Sequence, residues 1–168
     1  NINDFESRKI QVRGFVVKEE CRLPNHYQSE RTLHQYLKDA GIPGISGVDT
    51  RAITRKLRSG GVMMGVISSQ INPQHALELL KNQPDYGSID FVRTVSTLNP
   101  YEWNTDSDEK SNYHVVVLDC GLKYNILRLL REKGCRSTVV PCTTSYEEIL
   151  KYEPDGILLS PGPGDPEL

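Results

Sequence analysis

Residues 113–121, YHVVVLDCG, open the segment that decides the fold of this chain. Their run of four consecutive apolar residues is typical of a strand that is covered on both faces, as in a parallel sheet. Residues 125–133 carry apolar side chains at helical spacing and predict a helix. STVVPC at 137–142 predicts a second strand, and DGILLS at 155–160 predicts a third. The segment therefore alternates strands with helical crossovers.

A capping box completes this alternation. Ser145 and Glu148 have the spacing with which a side chain and a backbone amide cap each other at a helix start. The resulting order, βαβαβ with short connections, predicts a doubly wound α/β domain with a mainly parallel sheet. In such sheets ligands bind beyond the carboxyl ends of the strands.

The loop SPGPGDP, residues 160–166, follows the third predicted strand and lies at such an end. Proline has no N–H, so the only backbone donors after Ser160 are those of Gly162, Gly164 and Asp165. We expect an extended loop, with Asp165 capping a helix that begins at Pro166. Such a stiff loop suits an oxyanion hole, although it could also be a rigid turn and nothing more. The lysine and hydroxyl residue of a phosphate-binding P-loop are not found at the required spacing.

The first half of the chain predicts a small α/β domain. Strands are expected at 9–17 and 62–68, and helices at 32–40 and 50–59, with Asp49 or Thr50 capping the second helix. Asn72-Pro73 predicts the start of a third helix. The polar, acidic stretch 99–112 lacks periodicity and predicts a linker, so we expect one domain over 1–98 and another over 113–168.

Composition sets limits on function. The net charge of −2 argues against nucleic acid as the main partner, and no apolar stretch is long enough to span a membrane. The four cysteines have no metal-ligand spacing, so we expect no metal site and a cytoplasmic protein with reduced thiols. They are Cys21, Cys120, Cys135 and Cys142. A basic cluster is either a solvated helix face or a docking surface. Its members are Arg51, Arg55, Lys56 and Arg58.

Several of these motifs resemble a known family. VVVLDCGLKYNILRLLREKGC, VVPCTTS and PDGILLSPGPGDP are similar to the start of a class I glutamine amidotransferase domain. IQVRGFVV, RTLHQYLKDAGIPGISGVDTRAITRKLRSGG and MMGVI resemble the N-terminal domain of the small subunit of carbamoyl-phosphate synthetase. The pair GVDTRAITRKLR with LSPGPGDP is specific, whereas neither motif alone would be.

The resemblance implies glutamine hydrolysis by a cysteine, a histidine and a glutamate, with ammonia passed to a large subunit that makes carbamoyl phosphate from bicarbonate and ATP. It also implies that Gly162 and Gly164 bind L-glutamine and help to form the oxyanion hole. The family's nucleophile lies in a G-x-C-x-G elbow, and no cysteine here has that setting. We therefore expect the triad beyond Leu168 and an internal fragment that is inactive alone. We expect no cofactor in this chain, with ATP and magnesium used by the large subunit.

Two other functions stay open at this point. A non-catalytic docking module would use the basic helix 50–59 to bind a synthetase partner. A flavodoxin-like nucleotide binder would use the second half, although that half lacks the phosphate-binding motifs.

Overall fold

The computed structural model describes residues 4–103, 111–165 and 167. The chain forms two compact units. The first, called here the N-terminal unit, consists mainly of Lys9–Ile89. The second, the C-terminal unit, consists of Phe5–Arg8 together with the chain from Asp90 onwards.

The described residues of the N-terminal unit form short strands and three α-helices. Its elements are β1 (Phe15–Val16), α1 (Leu33–Asp39), β2 (Gly44–Ile45), α2 (Thr50–Gly60), α3 (Pro73–Lys81) and a 3₁₀ turn (Tyr86–Ser88). Strands β1 and β2 pair in parallel, with Phe15 opposite Gly44. The unit is thus a small α/β body, as the sequence predicts.

The predicted helix starts in this unit are confirmed by their caps. Thr32 and Gln35 form a reciprocal capping box at α1. Asp49, rather than Thr50, caps α2, because its Oδ1 accepts the Ala52 amide at 2.9 Å. Asn72 caps α3 by accepting the His75 amide at 2.8 Å. These signals lie within three residues of each helix start, where the sequence can show them.

The predicted strands of this unit are wrong in extent. Only Phe15–Val16 of the predicted strand 9–17 is paired, and residues 62–68 form no strand. A strand needs a hydrogen-bonded neighbour as well as an apolar sequence. Among the described residues, β1 has β2 as its only paired neighbour, and that pairing is two residues long.

The C-terminal unit is a four-stranded sheet with helices. Its elements are α4 (Phe91–Val95), β3 (Tyr101–Trp103), β4 (Tyr113–Asp119), α5 (Tyr124–Glu132), β5 (Cys135–Pro141), α6 (Tyr146–Leu150) and β6 (Gly156–Leu159). The strand order is β3-β5-β4-β6. Strand β4 is parallel to both β5 and β6, and β3 is antiparallel to β5. The predicted βαβαβ order and mainly parallel sheet are confirmed.

Two apolar clusters hold this sheet between its helices. On one face Val117 and Val139 pack with Leu127 of α5, and all three are fully buried. On the other face Val116 and Val140 pack with Ile149 of α6. The run of apolar residues in β4 alternates between these clusters, which is why β4 is apolar at consecutive positions.

The linker predicted over 99–112 needs correction. Residues 101–103 form β3, with Tyr101 opposite Val139 of β5. The Trp103 ring lies 4.7 Å from that of Tyr124, so this tryptophan is anchored on the same unit. Residues 90–98, predicted within the first domain, also belong to the C-terminal unit. The remainder of the predicted linker, 104–110, lies outside the described residues.

Candidate functional site

The candidate site lies where the three parallel strands end. Asp119 ends β4, Pro141 ends β5 and Leu159 ends β6. Because these strands are parallel and in register, their carboxyl ends meet at one edge, with Asp119 opposite Pro141. This edge carries the loop that starts at Ser160, as the sequence predicts.

Ser160 fixes the start of this loop to β4. Its amide donates to the Leu118 carbonyl at 3.1 Å. Its Oγ accepts the Cys120 amide at 2.9 Å. The side chain is buried, with 7% of the residue exposed. The main chain and the side chain of Ser160 therefore both fix the point at which the loop leaves the sheet.

The glycine loop and the turn after β4 are in direct backbone contact. A Cβ atom added at Gly162 would overlap the carbonyl oxygen of Cys120. A Cβ added at Gly121 would lie 3.2 Å from the Gly162 Cα and 3.2 Å from the Pro161 oxygen. Gly121 also has a φ of +134°, which side chains rarely adopt. Glycine is thus required on both sides of this contact.

Gly164 is required for a similar reason. Its φ is +99°, and a Cβ added there would lie 3.4 Å from the Phe91 ring. Within residues 4–103, 111–165 and 167, no acceptor takes a hydrogen bond from the amide of Gly162 or of Gly164. The two predicted site residues thus lie in one tightly held loop. Their backbone amides donate no hydrogen bond to any described residue.

The predicted helix after this loop is described only in part. Asp165 Oδ1 accepts the Glu167 amide at 3.1 Å, which is a local turn contact. Pro166, where the helix was expected to begin, lies outside the described residues.

Asp119 is a site residue that the sequence analysis missed. Its Oδ1 accepts the amides of Gly121 at 3.0 Å and Leu122 at 2.8 Å. Its Oδ2 accepts the amide of Thr97 at 2.8 Å. Asp119 is 7% exposed, so the carboxylate is enclosed by its own contacts. The available signal was its position directly after the apolar run of β4, where a buried strand reaches the ligand-binding edge.

The segment around α4 was also missed. The Ser96 Oγ accepts the Cys142 amide at 2.9 Å, so this segment is bound to the end of β5. Val92 lies 3.1 Å from a Cβ added at Gly162. Residues 90–97 therefore line the carboxyl edge beside the loop. No local pattern predicts this, because the contacts join parts of the chain that are distant in sequence.

Neither the cysteines nor the histidines form a catalytic pair at this edge. Burial raises the pKa of the Cys120 thiol, and the neighbouring Cys142 and Asp119 raise it further, which disfavours the reactive thiolate. His114 lies near the start of β4, at the opposite end of the strand from Cys120. Among the described residues there is no cluster of metal-binding side chains. In the same part of the chain, no helix combines the length and the apolar character needed to cross a membrane.

Comparison with known families defines the class of the protein. Residues 116–168 match the family model of class-I glutamine amidotransferases, so the parallel sheet and its glycine loop belong to that class. Residues 1–67 match the model of the carbamoyl-phosphate synthase small chain, CPSase domain. The chain is similar to the carbamoyl phosphate synthase small chain in its first part and to class-I glutamine amidotransferases in its last part, so the predicted resemblance is confirmed.

Curated relatives are similar in sequence to nearly the whole of this chain. The carbamoyl phosphate synthase small chain of Staphylococcus epidermidis is 48% identical over 99% of this chain and 44% of its own length. That of a Nostoc species is 46% identical over 99% of this chain and 46% of its own length. That of Ralstonia nicotianae is 41% identical over 99% of this chain and 47% of its own length. The chain thus spans about half the length of the curated relatives it matches.

Proposed function

We propose that this chain is part of a subunit that hydrolyses glutamine and delivers the ammonia to a large subunit of carbamoyl-phosphate synthetase. The large subunit would use the ammonia, bicarbonate and ATP with magnesium to make carbamoyl phosphate for arginine and pyrimidine synthesis, in the cytoplasm. The observation that carries the proposal is the combination of both family matches in one chain with a glycine loop at the carboxyl edge. Fold alone would not suffice, since one fold supports many activities.

The loop's part in this reaction is electrostatic. When a nucleophile attacks the side-chain amide of glutamine, negative charge develops on the amide oxygen. Backbone N–H groups that already point at that oxygen stabilise the charge. In this proposal Gly162 and Gly164 supply such donors and bind glutamine. Their place in a loop held by Ser160 supports the assignment, because a fixed donor needs no rearrangement during the reaction.

The nucleophile is proposed to come from the remainder of the parent protein. Cys120 is a poor candidate because its surroundings raise the pKa of the thiol. A cysteine, a histidine and a glutamate outside this chain would complete the site. Residues 1–168 alone are accordingly proposed to bind the partner without hydrolysing glutamine.

The test compares the full-length parent with residues 1–168. The parent, purified with its large subunit, should release ammonia and glutamate from glutamine in equal amounts, and residues 1–168 should release neither. Replacing Gly162 with proline in the parent removes one donor and adds the same Cβ that G162A adds, so kcat should fall below that of G162A by on the order of 10²–10³. A parent that releases no ammonia from glutamine would overturn the proposed activity.

A second candidate, a docking module, is favoured by one observation. Every residue of α2 after Thr50 is exposed, including the basic side chains. Those side chains are Arg51, Arg55, Lys56 and Arg58. Changing Arg51, Arg55 and Arg58 to glutamate should abolish capture of the large subunit if α2 is the docking surface. Capture that is unchanged by this reversal, and unchanged by salt, would exclude α2 from the interface.

A further inference from the structure

We infer that Asp119 is a positioning residue for the glycine loop: its carboxylate holds the turn 120–122 and the Thr97 segment, and so fixes the amides of Gly162 and Gly164. This inference rests on the proposed glutamine hydrolysis and adds to it a residue that makes no contact with glutamine. It follows from the hydrogen bonds of one buried carboxylate and from the backbone contact between two loops.

The Asp119 carboxylate uses both of its oxygens as hydrogen-bond acceptors. One oxygen accepts two amides, from Gly121 at 3.0 Å and Leu122 at 2.8 Å. The other accepts the Thr97 amide at 2.8 Å. Hydrogen bonds to a charged acceptor are about twice as strong as those between neutral groups. Asp119 therefore joins two segments that lie 22 residues apart with a strong acceptor.

The turn that Asp119 holds is in contact with the glycine loop. Gly121, held by Asp119, lies against Pro161 and Gly162 with no space for a side chain between them. The preceding residue, Cys120, donates its amide to Ser160 at 2.9 Å. A displacement of the turn 120–122 therefore has to displace the loop as well, because the two backbones are already in contact.

The segment around Thr97 bounds the other side of the loop. The Thr97 segment continues from α4, whose Val92 and Phe91 lie against Gly162 and Gly164. The bond from Thr97 to Asp119 fixes the end of that segment at the sheet edge. The loop is thus bounded by two elements, and both are attached to the same carboxylate.

Asp119 is not placed to act on the substrate. Both of its oxygens are used by backbone amides, and 7% of the residue is exposed. Its effect on the reaction would instead come through geometry. A misplacement of about 1 Å in a catalytic group can cost on the order of 10²-fold in rate, so a loosened loop should be visible in kcat.

The experiment compares D119N with D155N in the full-length parent bound to its large subunit. Asparagine keeps the shape of Asp119, but one of its oxygens becomes an NH₂ group that cannot accept an amide proton. Asp155 is a matched control, since its carboxylate accepts the His114 amide at 2.7 Å near the start of β4. D119N should lower kcat for glutamine about 10- to 100-fold. It should change KM by a smaller factor, upwards or downwards. Carbamoyl phosphate synthesis from added ammonia should be unchanged.

A kcat for D119N equal to that of D155N would overturn the inference while leaving the proposed function intact. Amide hydrogen exchange gives a readout that does not depend on activity. Exchange in peptides covering 119–122 and 160–165 should be at least about tenfold faster in D119N than in D155N, since the restraint on both loops is lost. Unchanged exchange would overturn the positioning role, whether or not the parent releases ammonia. A parent that releases no ammonia would, by itself, overturn only the proposed function.

Discussion

Glu6 and Arg128 form an ion pair between the start of the chain and helix α5, with 3.0 Å between Oε1 and Nη1. The other oxygen of Glu6 accepts the amide of Asn125 at 2.9 Å, and its carbonyl accepts the amide of Tyr124 at 3.1 Å. The helix has no cap from its own N-cap residue, Lys123. A carboxylate 119 residues away in sequence thus serves as the cap of α5.

This capping predicts a loss of stability on changing Glu6. E6A removes an acceptor and a charge at a helix N-terminus, which should lower the free energy of unfolding by about 1–2 kcal/mol. The partly buried ion pair with Arg128 contributes only part of this. E6Q keeps an acceptor and should lose less. Urea denaturation followed by far-UV circular dichroism measures the change.

The control is E132Q, the same change at the other end of the same helix. A negative charge at a helix C-terminus is unfavourable, so E132Q should leave stability unchanged or raise it slightly. Equal effects of E6Q and E132Q would show that Glu6 does not act as a cap.

Two buried serines of the C-terminal unit should respond oppositely to alanine. Ser160 accepts the Cys120 amide, so S160A leaves a partly buried donor unpaired and should cost about 1–3 kcal/mol. Ser137 is buried, and its Oγ has no hydrogen-bond partner among the described residues. S137A should therefore be neutral or stabilising. Thermal unfolding of both variants tests this, and a lower melting temperature for S137A than for S160A would contradict it.

Much of the fold could be predicted because its signals are local. Ser145 and Glu148 identify a helix start from four residues. The apolar run of β4 identifies a strand buried on both faces. Together with the two flanking strands, these signals were sufficient to place the glycine loop at the carboxyl edge.

The remainder depends on contacts between distant residues. Tyr101–Trp103 was assigned to a linker because its neighbours are polar, yet it is a strand through its pairing with β5. Thr97 reaches Asp119 across 22 residues, and no local pattern records that bond. Pairing partners of this kind are set by tertiary structure, so propensity and periodicity do not reveal them.

The close contact at Gly162 predicts a sharp difference between two glycines. G162A places a methyl group on the Cys120 carbonyl, which is backbone and cannot rotate away, so it should cost about 1–3 kcal/mol. In the parent it should also lower glutamine hydrolysis. G156A meets no atom within 4 Å and should change stability by less than about 0.5 kcal/mol. Urea denaturation of both variants tests the contact, and equal stability would exclude it.

His114 predicts a pH dependence of stability in the C-terminal unit. Its ring is buried, and its Nε2 lies 2.8 Å from Thr138 Oγ1. Burial lowers its pKa below the ordinary value of 6.5, and the nearby charge of Arg136 lowers it further, whereas the Tyr152 backbone and the charges of Glu102 and Asp155 act in the opposite direction. The folded protein therefore binds the proton less readily than the unfolded chain does.

This difference has a definite sign. Below about pH 6.5 the unfolded chain takes up a proton on His114 that the folded chain resists, so the free energy of unfolding should fall as the pH drops from 6.5 towards the lowered pKa. Above about pH 7.5, where the unfolded chain no longer binds this proton, His114 should contribute almost no slope. Urea denaturation of the wild type and H114Q between pH 8 and 5 measures this, and H114Q should show a shallower loss on the acid side. H75Q, a change at an exposed histidine of α3, should keep the wild-type slope. Identical slopes for H114Q and the wild type would show that the buried imidazole is not what couples folding to pH.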